Sequence, residues 1–170
     1  MPHSIRTERL LLRPITRRDG RAFWRVANDP EQTRMTSSWV YPFTPEAAGT
    51  RFAAVEANWS PLAHKFAIVT DGQMVGTVGV YEGALGYWIG ADFAGKGYAS
   101  EAARAFCGHL FRHHHIPRVS ACVYTDNPAS RRILEKIGFR NLHLCREWCA
   151  DRRAITPNWT FELTRERFRP

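Results

Sequence analysis

No two cysteines in this 170-residue sequence stand in a C-x-x-C pair. The four that occur, Cys107, Cys122, Cys145 and Cys149, therefore make neither a zinc ribbon nor a dithiol redox motif. His143, Cys145 and Cys149 are explained by strand alternation as well as by a ligand set, and the run His113-His114-His115 by charge at a helix C-terminus, so no metal site is read from the sequence. Long apolar runs are also missing. Nothing approaches the roughly 20 residues of a membrane span. The opening MPHSIRTERLLLRP offers one short leucine run where a signal peptide needs about 7 to 15 apolar residues. A cytoplasmic protein with no membrane partner is expected.

Lysine is scarce: all but Lys65, Lys96 and Lys136 of the 24 basic residues are arginine. Against 16 acidic residues they leave a formal net charge of +8, which favours anionic partners at long range. A nucleic-acid binder gathers its charge on one face or helix. Here basic residues run from Arg6 to Arg169 among acidic ones, so nucleic-acid binding is the weakest functional class. The length suits one domain, residues 1–170, able to bury a core without staples.

What is present has a clear order. ERLLLR (8–13) reads as a strand stopped by Pro14. Thr16 and Asp19 make a capping-box-like pair before a helix with Ala22, Phe23, Val26 and Ala27 on one face, ended by Asn28-Asp29-Pro30. Thr44-Pro45 starts a second helix that repeats Ala48, Phe52, Val55 and Trp59. FAIVT-DG-QMVGTVGV is a hairpin on Asp71-Gly72, and Tyr81-Glu82-Gly83 turns the chain into a third antiparallel strand, ALGYWIG. A helix from about Tyr98 separates that strand from a further one, 118–124, making the two parallel neighbours. Asn127-Pro128 caps SRRILEKI, Gly138 ends it, and strands near 140–148 and 159–164 follow. The fold class is α+β with a mixed, mostly antiparallel sheet.

Between the third strand and its helix lies IGADFAGKGYASEAARAF. Gly90, Gly95 and Lys96 mimic a phosphate-binding P-loop, but Gly97 stands where the magnesium-holding hydroxyl belongs, and the loop follows an antiparallel meander. Metal-assisted phosphoryl transfer is thereby disfavoured. The third glycine of a dinucleotide-binding turn is missing as well. What survives is anion-binding geometry: glycines that allow close backbone approach, and amides at a helix N-terminus.

GYWIGADFAGKGYASEAARAF followed by DNPASRRILEKIGF resembles the acetyl-CoA-binding core of the Gcn5-related N-acetyltransferases, and TERLLLRP is similar to their ribosomal-protein N-terminal acetyltransferase branch. The resemblance covers almost the whole chain. It implies one such domain, with two central parallel strands splayed to admit acetyl-CoA as cosubstrate, and direct acetyl transfer to an amine. It places the pantetheine against Trp88 and Ile89, the pyrophosphate on Gly95, Lys96, Gly97, Tyr98, Ala99 and Ser100, and Asn127 at the end of the second splayed strand. Ser130, Arg131 and Lys136 lie on the adjoining helix. Asn127 is also a good helix cap without a ligand, and one of Tyr87 and Trp88 must be ordinary core.

Many members of that family carry a tyrosine acid where this chain has Leu134. The resemblance then makes Ser130 the preferred acid, with Tyr124 second; Glu82 is the leading base candidate, ahead of His64 and Asp126. A catalytically inert CoA-binding module is the alternative that Leu134 keeps open. The acceptor is expected to be a small amine or a ribosomal or other protein N-terminus, entering a cleft of Trp39, Tyr41, Phe43 and Trp59; a monomer or homodimer is expected.

Overall fold

Two tight turns set the architecture. Asp71 and Gly72 adopt φ of 49° and 73°, and Glu82 and Gly83 adopt 50° and 81°. Such left-handed pairs match the twist of flanking antiparallel strands. A computed structural model describes residues 3–170. The turns join β3 (Ala63–Thr70), β4 (Gln73–Tyr81) and β5 (Ala84–Ile89) into the expected meander. Before it come β1 (Ile5–Arg6), β2 (Leu11–Pro14), α1 (Gly20–Ala27), the single turn α2 (Pro30–Thr33) and α3 (Pro45–Ala57). After it come α4 (Tyr98–His113), β6 (Arg118–Tyr124), α5 (Pro128–Ile137), β7 (Arg140–Cys149) and β8 (Ala154–Thr164). The strands form one sheet in the order β1-β2-β3-β4-β5-β6-β8-β7, with β5 and β6 its parallel pair.

Helices cover both faces. On one, Phe106 and Leu110 of α4 and Leu134 and Ile137 of α5 are fully buried against Phe66, Ile68, Phe161 and Leu163 of the sheet. On the other, α1 and α3 enclose Phe23, Phe52, Ala67, Met74 and Trp88. The strand period of two sends Ala67 to one face and its neighbours Phe66 and Ile68 to the other. The expected strand over 8–13 differs at both ends: Glu8 and Arg9 belong to a turn closed by the Thr7 N–H donating to the Leu10 carbonyl at 3.0 Å, and Pro14 does not stop the strand but is its last residue, opposite Phe66. The two residues of β1 are too few to show alternation.

Asp19 does more than cap. It accepts from the Thr16 N–H at 2.8 Å and forms a two-pronged ion pair with Arg13, at 2.9 and 2.6 Å. The expected aromatic cleft is not present as drawn. Trp39 and Phe43 are buried against Phe23, with ring centroids 5.2 and 5.8 Å away, because they close the α1–α3 core. Trp59 lies elsewhere, beside His64 and His114, and Tyr41 is exposed.

Candidate active site

β5 and β6 are paired only at Ala84 and Ser120, where the Ser120 N–H donates to the Gly83 carbonyl at 3.0 Å. Past that point each strand keeps only its outer neighbour: β5 pairs with β4 from Ala84 to Ile89, and β6 with β8 from Arg118 to Tyr124. A gap therefore opens toward the C-terminal ends of both strands. Its walls carry backbone groups without a sheet partner, which can serve an extended amide-containing ligand.

At the mouth of the gap stands the glycine loop. Gly95 and Gly97 have φ of 77° and 83°, a region open to glycine and strained for other residues. Gly97 is the N-cap of α4, and no side chain caps that terminus. The first intrahelical bond is Glu101 N–H to Gly97 C=O at 3.1 Å, so the amides of Tyr98, Ala99 and Ser100 precede it and are available to an anion. Lys96 is exposed, with its Nζ 5.2 Å from the centre of the Phe93 ring.

The loop is fastened from a distance. Glu101 accepts from the Thr7 hydroxyl at 2.6 Å, the Arg9 N–H at 3.0 Å and the Arg9 Nε at 2.7 Å. Arg9 also donates from Nη1 to the Lys96 carbonyl at 2.9 Å and covers the Tyr98 ring at 5.0 Å. Burial pushes the Glu101 carboxyl up, but these hydrogen bonds and the Arg9 charge outweigh it and hold the group below the usual glutamate range.

Tyr87 and Trp88 point to opposite faces. Trp88 is the core member, edge-on to Phe23 at 5.8 Å, with its buried Nε1 unpartnered. Tyr87 lies on the α5 side: its hydroxyl is 2.8 Å from the Ser130 Oγ and donates to the Ser130 carbonyl at 3.2 Å. Burial pushes the Tyr87 phenol up to about 12 despite the Ser130 bond, so it stays protonated at neutral pH. Ile89 is half-buried on the same face. Asn127 caps α5 through Oδ1, which accepts from the Ser130 N–H at 3.1 Å; its Nδ2 donor is left for a ligand.

The other candidates are dispersed. The Tyr124 hydroxyl, at the end of β6, is buried without a partner beneath Arg152, and burial pushes its pKa up strongly. Glu82 sits in the exposed β4–β5 turn, at the end where β5 and β6 are closed; Gly83 and three residues of β5, Ala84, Leu85 and Gly86, separate it from Tyr87. The structure does not bring it to Ser130. Asp126 is engaged by Arg152 at 2.9 Å, and His64 lies under α4 away from the gap. Arg131 pairs with Glu135 at 2.8 Å and lies over Trp159. Lys136 is exposed, six residues and about 9 Å along α5 from Ser130.

Tyr87, Arg9 and Glu101 are the site residues that sequence reasoning missed. Alternation separates Tyr87 from Trp88 but does not say which face α5 covers. An arginine and a glutamate 92 positions apart carry no local signal of pairing.

One splayed parallel pair in a mixed sheet, followed by a glycine-led helix that no side chain caps, defines the α+β fold. Residues 9–140 match the family model described as the acetyltransferase (GNAT) domain, and the chain belongs to that family. It is similar to the uncharacterized N-acetyltransferase YnaD of Bacillus subtilis, at 29% identity over 144 residues, covering 80% of this chain and 82% of YnaD. In fold it matches RimJ of Mycobacterium smegmatis in complex with CoA-disulfide, with TM-score 0.83, 21% identity and coverage of 97% and 88% of the two chains. The ribosomal-protein-S5-alanine acetyltransferase of Vibrio fischeri superposes with TM-score 0.83 at 21% identity, over 99% and 100%. By class this is an N-acetyltransferase.

Proposed function

We propose that the protein transfers an acetyl group from acetyl-CoA directly to a primary amine, with a protein N-terminus as the acceptor class. The observation that carries this is the gap between β5 and β6, which leads from the Tyr87–Ser130 pair to the free amides of Tyr98, Ala99 and Ser100. Pantetheine fits the gap by its amides, against the backbone of Trp88 and Ile89 on one side and Asn127 Nδ2 on the other. The pyrophosphate fits the helix N-terminus and needs no metal there. The likeness to the fold of the ribosomal-protein-S5-alanine acetyltransferase supports the acceptor class.

In the reaction the amine nitrogen bonds to the thioester carbonyl carbon, the carbon–sulfur bond breaks, and the departing thiolate takes a proton. Ser130 supplies that proton, the Tyr87 hydroxyl, 2.8 Å away, replaces it, and solvent returns a proton to Tyr87. A serine hydroxyl alone is a poor acid; coupling to a phenol held near 12 makes the pair a better one. The nitrogen's own proton leaves to solvent.

The test is release of free CoA thiol with peptide N-termini, polyamines and aminoglycosides as acceptors. Multiple turnovers with peptides are expected. Tight CoA binding with no turnover on any acceptor would instead identify an inert CoA-binding module, the reading that Leu134 at the usual tyrosine position keeps open.

A further inference from the structure

Far from the gap, three imidazoles converge. His64 comes from β3, His109 from the last third of α4 and His114 from its C-cap. One ring nitrogen from each lies within 4.8 Å of the other two. The Nε2 atoms of all three are buried and have no hydrogen-bond partner. A buried, unpaired polar atom is rare in a native interior, and three sharing one spot point to a missing common partner.

We propose that His64, His109 and His114 bind a divalent transition-metal ion, zinc by preference, as a structural site. Imidazole nitrogens suit zinc, and its Zn–N bonds of about 2.0–2.1 Å place tetrahedral ligand atoms about 3.4 Å apart. Small rotations of the three rings supply that contraction. The tautomer of His64 is already set: its Nδ1 donates to the Ser60 carbonyl at 2.8 Å, leaving the Nε2 lone pair for the ion. That second bond is the usual means of orienting a metal-binding histidine.

Burial keeps the rings neutral, as ligation requires. It lowers His64 and His114, and with its charged neighbours it brings His109 down to about 4. Besides the three rings, the charged or titratable groups acting on the cluster are Arg112, His113 and His115, with no carboxylate among them, so the ion's charge is met by imidazole donation alone. His109 and His114 also line a cleft of about 260 Å³ whose wall includes His3, Ile5 and Trp59.

The site cannot take part in acetyl transfer. His109 is twelve residues along α4 from Gly97, about 18 Å. Instead the ion ties β3 to the C-terminus of α4, beside β1. Binding a ligand set formed only in the folded chain stabilises the fold.

Cobalt(II) and zinc(II) titrations of untagged, metal-stripped protein test this. One equivalent of cobalt with the visible absorption of a four-coordinate ion is expected, displaced by zinc, with a raised melting temperature. His109→Phe and His114→Gln should each weaken binding by at least about tenfold and abolish the thermal shift, while His113→Gln keeps both. His114 is the least enclosed of the three, so His114→Gln remains informative if His109→Phe does not fold. Acetyl transfer should survive metal removal. No stoichiometric uptake by the wild type, or uptake that persists in His114→Gln and is lost in His113→Gln, would overturn the site.

Discussion

The Tyr87 hydroxyl on β5 lies 2.8 Å from the Ser130 hydroxyl on α5, and this bond ties one wall of the splayed gap to the helix that follows the other. Ser130 is thus held at its place by two contacts, the phenol from one side and the Asn127 cap on its own N–H from the other. A donor fixed in this way needs little reorganisation when charge develops on the leaving sulfur.

Ser130→Ala should lower turnover about a hundredfold, the low end for general acid catalysis, because a thiol with a pKa near 8.5 leaves fairly well unaided. Tyr87→Phe should lower turnover less, and the double variant should cost no more than Ser130→Ala alone, as expected of groups acting through one proton path. Acetyl-CoA affinity should move by less than about 1 kcal/mol. Turnover and melting temperature measured on the same preparations separate an acid from a helix-stabilising hydroxyl: a lower melting temperature with wild-type turnover from about pH 6 to 9 would remove Ser130 from the chemistry.

Gly97→Val should weaken acetyl-CoA by about tenfold or more, or about 1.4 kcal/mol, by calorimetry. Valine is strained at φ of 83°, which pushes the loop out of its conformation, and its Cβ would also press on the Arg9 Nη2 at 3.2 Å, a side-chain end that can yield. Unchanged affinity in a folded variant would take the loop out of the cofactor site.

The parts of the fold that could be read in advance are those dictated by local stereochemistry. Asp71-Gly72, Thr44-Pro45 and Gly138 each demand a particular backbone state, and the structure has a turn, a helix start and a left-handed helix end at those positions. The glycine loop was legible for the same reason. What could not be read depends on pairing across the fold: Tyr87 with Ser130, Arg9 with Glu101, and His64 with His109, 45 positions apart. Trp39 and Phe43 show the converse error, since aromatic character alone does not separate a cleft wall from the core that closes α1 on α3.

Asp19 makes the acid limb of stability testable. Burial pushes its carboxyl up, but hydrogen bonds from Arg13 and Thr16 and the Arg13 charge outweigh that and leave it below its usual value. A lowered folded pKa means that the contribution is full above the unfolded pKa, about 3.9, and is lost as pH falls through the folded value. Asp19→Asn should cost about 2 kcal/mol at neutral pH, the scale of a hydrogen bond to a charged group. Its stability should also fall less steeply than that of the wild type below about pH 4. Parallel acid limbs in urea titrations would show that the pair is not titrating there.

Arg9 and Glu101 pose a question of charge against geometry beside the proposed pyrophosphate position. Glu101 puts a carboxylate in the first turn of α4, which favours the helix but repels an anion held at the same terminus. Arg9 neutralises it at 2.7 Å and also grips the Lys96 carbonyl. If neutralisation dominates, Arg9→Ala should weaken acetyl-CoA about tenfold, or about 1.4 kcal/mol, with a loss that shrinks as salt rises. Adding Glu101→Gln to Arg9→Ala should then restore most of the affinity, because the uncompensated charge is gone. If the grip on Lys96 dominates, the double variant should bind as weakly as Arg9→Ala at every ionic strength. Calorimetry of the three variants at low and high salt decides between the two, and since Arg9 is half exposed, the comparison can be made on folded protein.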